Sequence, residues 1–206
     1  MTADTGTRAD GPRSKRRKVL DAAIDNFGKV GFEHTKWATI ADEVGIGQTA
    51  LYHYFESKVH CLLTIMSTEL ERSLTRARTA VAELVDHEEI LRAAVASAFQ
   101  VTPREALQAR ILLSHQDLLV SRRSSLQEEA ERLRARELVR EIEREWAAYL
   151  RRGMDAGAFP DRDETALVRL VLGLLNSVWR WYRPNGPLAL TQVSETVVEA
   201  CVRLVK

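Results

Sequence analysis

Turn-forming residues in this chain are gathered into a few short clusters. Between them, apolar residues recur at three- and four-residue steps, the spacing that lines up side chains on one face of an α-helix. Only 10 Gly and 5 Pro occur in 206 residues, and no run shows the two-residue alternation of a strand. The fold is therefore expected to be all-α. The first amphipathic stretch begins near Ser14, carries Val19, Leu20, Ala23, Ile24, Phe27 and Val30, and is stopped by Gly31. A short second helix presents Ile40, Ala41 and Val44 and ends at Gly45, a residue suited to a left-handed cap. After Ile46 and Gly47 a third segment runs from Gln48 to Phe55, with Leu51 and Phe55 pointing to one side. Two short helices across so tight a turn make a helix-turn-helix.

From residue 57 the chain reads as longer helices at about 58–84, 88–101, 104–119 (with Pro103 in its first turn) and 123–153. Turn formers cluster from Gly153 to Asp163, and two helices at about 164–182 and 189–205 complete the chain. The first of these is apolar over most of its circumference, more than one core can cover. A homodimer is the expected answer, two copies pairing as a four-helix bundle through Leu167, Val171, Leu174 and Val178 of one helix and Val197 and Cys201 of the next. The stretch from Gln127 to Arg152 is dense in Glu and Arg, with Glu128–Arg132, Glu137–Arg140 and Glu141–Arg144 at ion-pair spacing on a solvated face.

These patterns divide the chain into a disordered basic arm (1–13), a helix-turn-helix head (14–56) and a helical ligand-binding and dimerisation body (57–206). With 45% hydrophobic and 29% charged residues, the composition excludes collagen, wholesale disorder and a disulfide scaffold. No stretch approaches 18 apolar residues and the first residues are polar, so the expected location is the cytoplasm, away from membranes. Cys61 and Cys201 stand apart and read as reduced core thiols. The net charge of +1 hides a local imbalance, because residues 13–18 hold five positive charges and no negative one. Placed at the edge of a folded head, Arg16 and Arg17 can lie on phosphate.

A recognition helix needs a polar face for base edges and an apolar back for docking. Gln48, Thr49, Tyr52, His53 and Tyr54, set against Leu51 and Phe55, supply that division. A plain helical hairpin with core aromatics has the same composition. The segment Thr35 to Lys58, with Ile40-Ala41, Val44-Gly45-Ile46, Leu51-Tyr52, Tyr54-Phe55 and Ser57-Lys58 at their present spacing, resembles the DNA-binding domain of TetR/AcrR-type regulators. The resemblance implies that the helix from Gln48 enters the major groove, that Tyr52 touches base or backbone, and that Tyr54 and Lys58 clamp phosphates. Gly47 and Ala50 stand where the family usually has small hydroxyl residues. Thr35 and Thr39 partly replace that bonding, and Lys36 between them completes the candidate DNA contacts.

A second resemblance lies in Gly153 to Phe159 and Asn176 to Pro187, which are similar to actinobacterial TetR-type repressors of fatty-acid and sterol breakdown. It implies an acyl-CoA effector. The expected pocket lies between the helices at 88–119 and 123–153, with Phe99, Leu112, Leu113, Leu119 and Trp179 as apolar lining. Ser114, His115, Gln116 and Asn176 are the polar candidates, and Arg180, Arg122, Arg123 and Arg151 are candidates for the CoA phosphates. The alternative for each of these residues is a place in the core.

No glycine-rich phosphate loop and no nucleophile elbow is present in the sequence. His53, His60 and Cys61 lack a fourth metal ligand, and His115 and Asp117, two apart on a helix, project away from each other. No catalytic residue, metal or cofactor is expected. The sequence reads as a ligand-responsive DNA-binding transcriptional regulator. As a repressor it would bind a palindromic double-stranded operator and be released by a small effector, a CoA thioester by the second resemblance. The alternative is a small helical interaction or scaffold protein without sequence-specific DNA binding, with an enzyme third.

Overall fold

The computed structural model describes residues 11–206. Among the described residues there are nine α-helices and no strand: α1 (Pro12–Val30), α2 (Trp37–Val44), α3 (Gln48–Tyr52), α4 (Lys58–Val81), α5 (His87–Ser97), α6 (Pro103–Ser114), α7 (Leu126–Asp155), α8 (Glu164–Trp181) and α9 (Leu190–Val205). A 3-10 turn at Gln116–Leu119 follows α6. The chain forms two compact units that meet between Leu62 and Leu63, inside α4 and later than the expected border at 56/57. The shift has a local cause. Lys58 and His60, in the first turn of α4, bond and stack onto residues of the head.

In the head, α1 buries Val19, Ala22, Ala23, Ile24 and Phe27, and the Phe27 and Phe32 rings meet edge to face at 5.1 Å. The expected arm 1–13 needs correcting at its end, because Pro12 and Arg13 already belong to α1; its residues 1–10 lie outside the described residues. Proline fits the first helical turn, where its missing N–H costs nothing, so the basic residues Arg13 to Lys18 are helical. Gly45 ends α2 at φ 71°, ψ 38°. The N–H of Ile46 reaches Ala41 O at 3.0 Å and that of Gly45 reaches Asp42 O at 3.1 Å, the paired bonds of a Schellman cap. A side chain at Gly45 would resist that left-handed backbone, so glycine fixes the tight turn into α3.

The body helices start where side chains satisfy their first N–H groups. Asp86 caps α5, Thr102 and Glu105 form a reciprocal capping box at α6, Ser125 caps α7, and Asp163 caps α8. The helix expected at 104–119 breaks at His115, whose φ of −128° leaves the helical region and whose Nδ1 lies 2.8 Å from Ile111 O. Arcs of α5, α7, α8 and α9, joined by Ala106 of α6, share one core.

Gly153 shows how tightly that core closes. A Cβ there would lie 2.3 Å from Cδ2 of Phe159, itself 3% exposed. Gly153→Ala should therefore displace Phe159 and cost about 1–3 kcal/mol, seen as a lower melting temperature; an unchanged melting curve would show that Phe159 relaxes freely.

Of the residues expected at the dimer interface, Leu167, Val171, Val178, Val197 and Cys201 lie in the core of their own chain, and the half-buried Leu174 packs against it. Burial pushes the Cys201 thiol up to about 11 and also raises that of Cys61, so both stay protonated. The outward arc of α8 is instead Ala166, Leu170 and Trp181, with Leu170 55% and Trp181 49% exposed. The expected α7 ion pairs also shift. Glu137 does bind Arg140, but Glu128 pairs with Arg123, and Glu141 with Arg78 of α4. Arg132 is 4% exposed, pairs with Glu129 and donates to Leu119 O at 3.0 Å, so it belongs to the interior.

Candidate functional site

In the head, α3 ends at Tyr52, short of the Phe55 expected from the sequence; α3 and the turn after it bury Leu51 and Phe55 and leave Gln48, Thr49, Tyr52 and His53 exposed, with Tyr54 half-buried. Lys36, at the N-cap of α2, and Thr39, in its first turn, are exposed as well. Arg17 is exposed near the start of α1, whereas the Arg16 guanidinium sits 4.6 Å over the Phe55 ring. The polar face is thus presented as the sequence pattern expects, but two expected contacts are committed elsewhere. Thr35 is buried, and its hydroxyl donates to Gly31 O at 2.7 Å. The Lys58 ammonium donates to the carbonyls of Phe32 (2.6 Å), Thr35 (3.1 Å) and Glu33 (3.2 Å), and lies 4.5 Å from the Phe32 ring centre. An ammonium has three N–H groups, so Lys58 ties α4 to the α1–α2 turn and is not placed to clamp a phosphate. His53 is exposed while His60 and Cys61 are buried, and His60 Nδ1 accepts the Glu56 N–H.

An exposed amide at the start of α3 suits adenine, which offers a donor and an acceptor to one side chain. Gln48→Ala should narrow the gap between operator and mismatched DNA by about 1–3 kcal/mol, read in competition gel shifts. Equal weakening on all duplexes would assign Gln48 to the backbone.

Within the body, α4 to α8 line a partly open cavity of about 380 Å³. Small side chains open the space: Ser73 and Ala77 of α4, Ala94 of α5 and Ala98 just past its end, Ala109 of α6 and Gly173 of α8. Among the expected ligand residues, Leu112, Gln116, Asn176 and Trp179 come together on its wall, with Leu113 and Leu119. The others do not. Phe99 stands behind the wall with its ring 5.7 Å from that of Trp179, Ser114 is exposed on the outside, and His115 is turned back on Ile111 O. Arg180 and Arg122 are exposed away from the lining, Arg123 is paired with Glu128, and Arg151 with Asp155 and Asp161. The cations at the cavity are Arg76 of α4 and Arg169 of α8, the latter exposed.

The α4 wall has no counterpart in the sequence reading. Glu69 and Arg76 both line the cavity, Arg76 Nη2 donating to Glu69 Oε1 at 2.9 Å. Glu69 is 5% exposed, and burial raises its carboxyl above the usual range against the pull of Arg76. Glu69 Oε2 and Arg76 Nε are buried without a hydrogen-bond partner, a cost of about 1–3 kcal/mol for each such group. A seven-residue separation between opposite charges, two turns along one face of α4, was the available signal. Opposite this wall the 3-10 turn is fastened by Arg132 to Leu119 O, and hydrogen bonds from Arg132 take the Glu129 carboxyl down to about 2.

A cavity lined mainly by apolar groups, with a few polar ones among them, is built to hold a small, largely apolar molecule. Joined in one chain with a helix-turn-helix that exposes a polar recognition face, it defines a ligand-responsive DNA-binding transcriptional regulator. The chain belongs to the TetR family: residues 19–65 match the family described as "Bacterial regulatory proteins, tetR family", and residues 84–205 match "Tetracyclin repressor-like, C-terminal domain". It is 29% identical over 206 residues to the HTH-type transcriptional repressor KstR2 of Rhodococcus jostii (strain RHA1), covering 95% of this chain and 93% of that one. The solved ketosteroid transcriptional regulator KstR2 of Mycobacterium tuberculosis shares the fold at a TM-score of 0.75 and 25% identity, over 92% of this chain and 93% of that one. AibR, solved in complex with isovaleryl coenzyme A and operator DNA, has the same fold at a TM-score of 0.75 and 19% identity, over 90% and 97% of the two chains. No described helix is long and apolar enough to cross a membrane.

Proposed function

We propose that this protein is a homodimeric repressor that binds a palindromic operator and is released from it by a CoA thioester whose acyl part fills the body cavity. The single observation that carries the reading is the partly open, mostly apolar cavity of about 380 Å³ in a chain whose head exposes a recognition face. KstR2, a repressor by name, supports repression, and AibR, solved with isovaleryl coenzyme A and operator DNA, supports the capacity of this fold to bind a CoA thioester and to bind operator DNA. The acyl group would lie among Leu112, Trp146 and Trp179, with Asn176 and Arg169 meeting the polar remainder. Two copies of α3 would read half-sites one helical turn apart or a multiple of it, on the order of 34 Å. The effector works through a difference in affinity, since a ligand that binds the DNA-competent and DNA-incompetent states equally shifts nothing. In this reading the protein acts in the cytoplasm and binding is its whole chemistry, with no catalysed reaction.

A gel shift with DNA upstream of its own coding region, with and without decanoyl-CoA, tests the proposal. Retardation that decanoyl-CoA abolishes is expected. Absence of retardation at low salt would favour a scaffold, and retardation insensitive to a panel of CoA thioesters would remove the effector class while leaving the DNA-binding role.

A further inference from the structure

The cavity contains a charged pair with unused hydrogen-bonding capacity. Glu69 and Arg76 are two turns apart on one face of α4, joined by one hydrogen bond of 2.9 Å, and both line the cavity. The Glu69 side chain is 6% exposed, yet its Oε2 accepts nothing, and Arg76 Nε donates to nothing. Near this end Ser97 Oγ donates to Ala94 O, Arg72 Nη1 to Gln108 Oε1, and Glu105 closes the Thr102 capping box and lies 3.9 Å from Arg76 Nη1, while Ser73 lines the cavity between Glu69 and Arg76. Buried polar atoms in native proteins are nearly always paired, so one leftover acceptor and one leftover donor in the same ion pair describe a complementary group.

We infer that Glu69 and Arg76 form a polar anchor on the cavity wall that selects a hydrophobic ligand bearing a hydroxyl. A hydroxyl donates once and accepts as well, which matches one free acceptor and one free donor. A carboxylate would bring a second negative charge against Glu69, and an ammonium would face Arg76. An unsubstituted hydrocarbon would leave both atoms unpaired in a site closed further to water. The inference rests on the proposed ligand-binding role of the cavity and is independent of the CoA group.

The probes are 4-butylphenol and 4-butyltoluene, nearly equal in shape and differing in a hydroxyl against a methyl, titrated into the full-length protein by calorimetry. A purely apolar cavity prefers the toluene. The anchor predicts the reverse, with the phenol at least about tenfold tighter, because a site built to hydrogen-bond a hydroxyl discriminates strongly against its absence. In the double variant Glu69→Leu and Arg76→Met the preference should revert to the toluene. Equal or tighter toluene binding by the wild type, a phenol preference that survives in the double variant, or failure of both probes to bind would each overturn the anchor. The wild-type comparison needs no variant to fold. Decanoyl-CoA is titrated in parallel: if it does not bind while the phenol preference holds, the thioester reading falls and the anchor stands.

Discussion

Leu170→Arg should yield a folded monomer that no longer retards operator DNA. Leu170 lies on the outward arc of α8 with Ala166 and Trp181, at steps of four and eleven residues that keep them on one side of the helix. Leu170 is 55% and Trp181 49% exposed, while the opposite arc, Leu167, Val171, Leu175 and Val178, is buried in the core of its own chain. Completing the burial of a leucine contributes up to about 1.5–3 kcal/mol, and a two-fold axis counts the contact twice. An arginine at this point would bring an unpaired charge into the dimer contact twice over, a change on the order of 3–5 kcal/mol for each buried charge. A monomer offers one recognition helix, and losing the second half-site removes an avidity on the order of 10²–10⁴. Light scattering and gel shifts read the two effects, and the melting curve checks the core, which Leu170 does not enter. A dimer that persists, or a monomer that binds operator as tightly as the wild type, would place the interface elsewhere. Val197→Arg makes the contrast, because Val197 is 6% exposed inside the core and its replacement should unfold the body.

That distinction marks where the sequence stops being informative. The surplus of apolar residues in α8 is visible in its spacing, but a helix apolar around most of its circumference does not reveal which arc its own chain takes. The arc with Leu167 and Val171 is taken by contacts with α7, α6 and α9, which only the assembled fold defines. The helix-turn-helix was legible because its determinants are local: Gly45 for the left-handed turn, and Leu51 and Phe55 four apart for the buried side. The cavity was half legible. Leu112, Gln116, Asn176 and Trp179 sit on strongly patterned helices, whereas the α4 wall arises from small residues on separate helices and from a Glu69–Arg76 pair at an unusual spacing. Ion pairs misled where a distant partner outcompeted the neighbour on the same helix, as Arg78 does for Glu141.

Lys58→Met should weaken binding to every duplex by destabilising the head, without changing the salt dependence of the binding that remains. A lysine that neutralises a phosphate releases counterions, so its removal lowers the salt slope by about one. The Lys58 ammonium is occupied by the carbonyls of Phe32, Glu33 and Thr35 and by the Phe32 ring. Hydrogen bonds from a charged group contribute about 1.5–3 kcal/mol each, and partial solvation brings the set of three to about 2–4 kcal/mol. Methionine keeps the stem against Phe32 but removes a donor from all three carbonyls, Phe32 O alone keeping the Thr35 N–H, which should loosen the turn between α1 and α2 and the helix-turn-helix beyond it. Hydrogen exchange at residues 31–36 should accelerate, and the head should melt earlier. Lys58→Arg should rescue little, because a planar fork cannot aim three N–H groups at three carbonyls arranged around a single nitrogen. A Lys58→Met protein with unchanged exchange and a salt slope lower by one would return Lys58 to the DNA backbone.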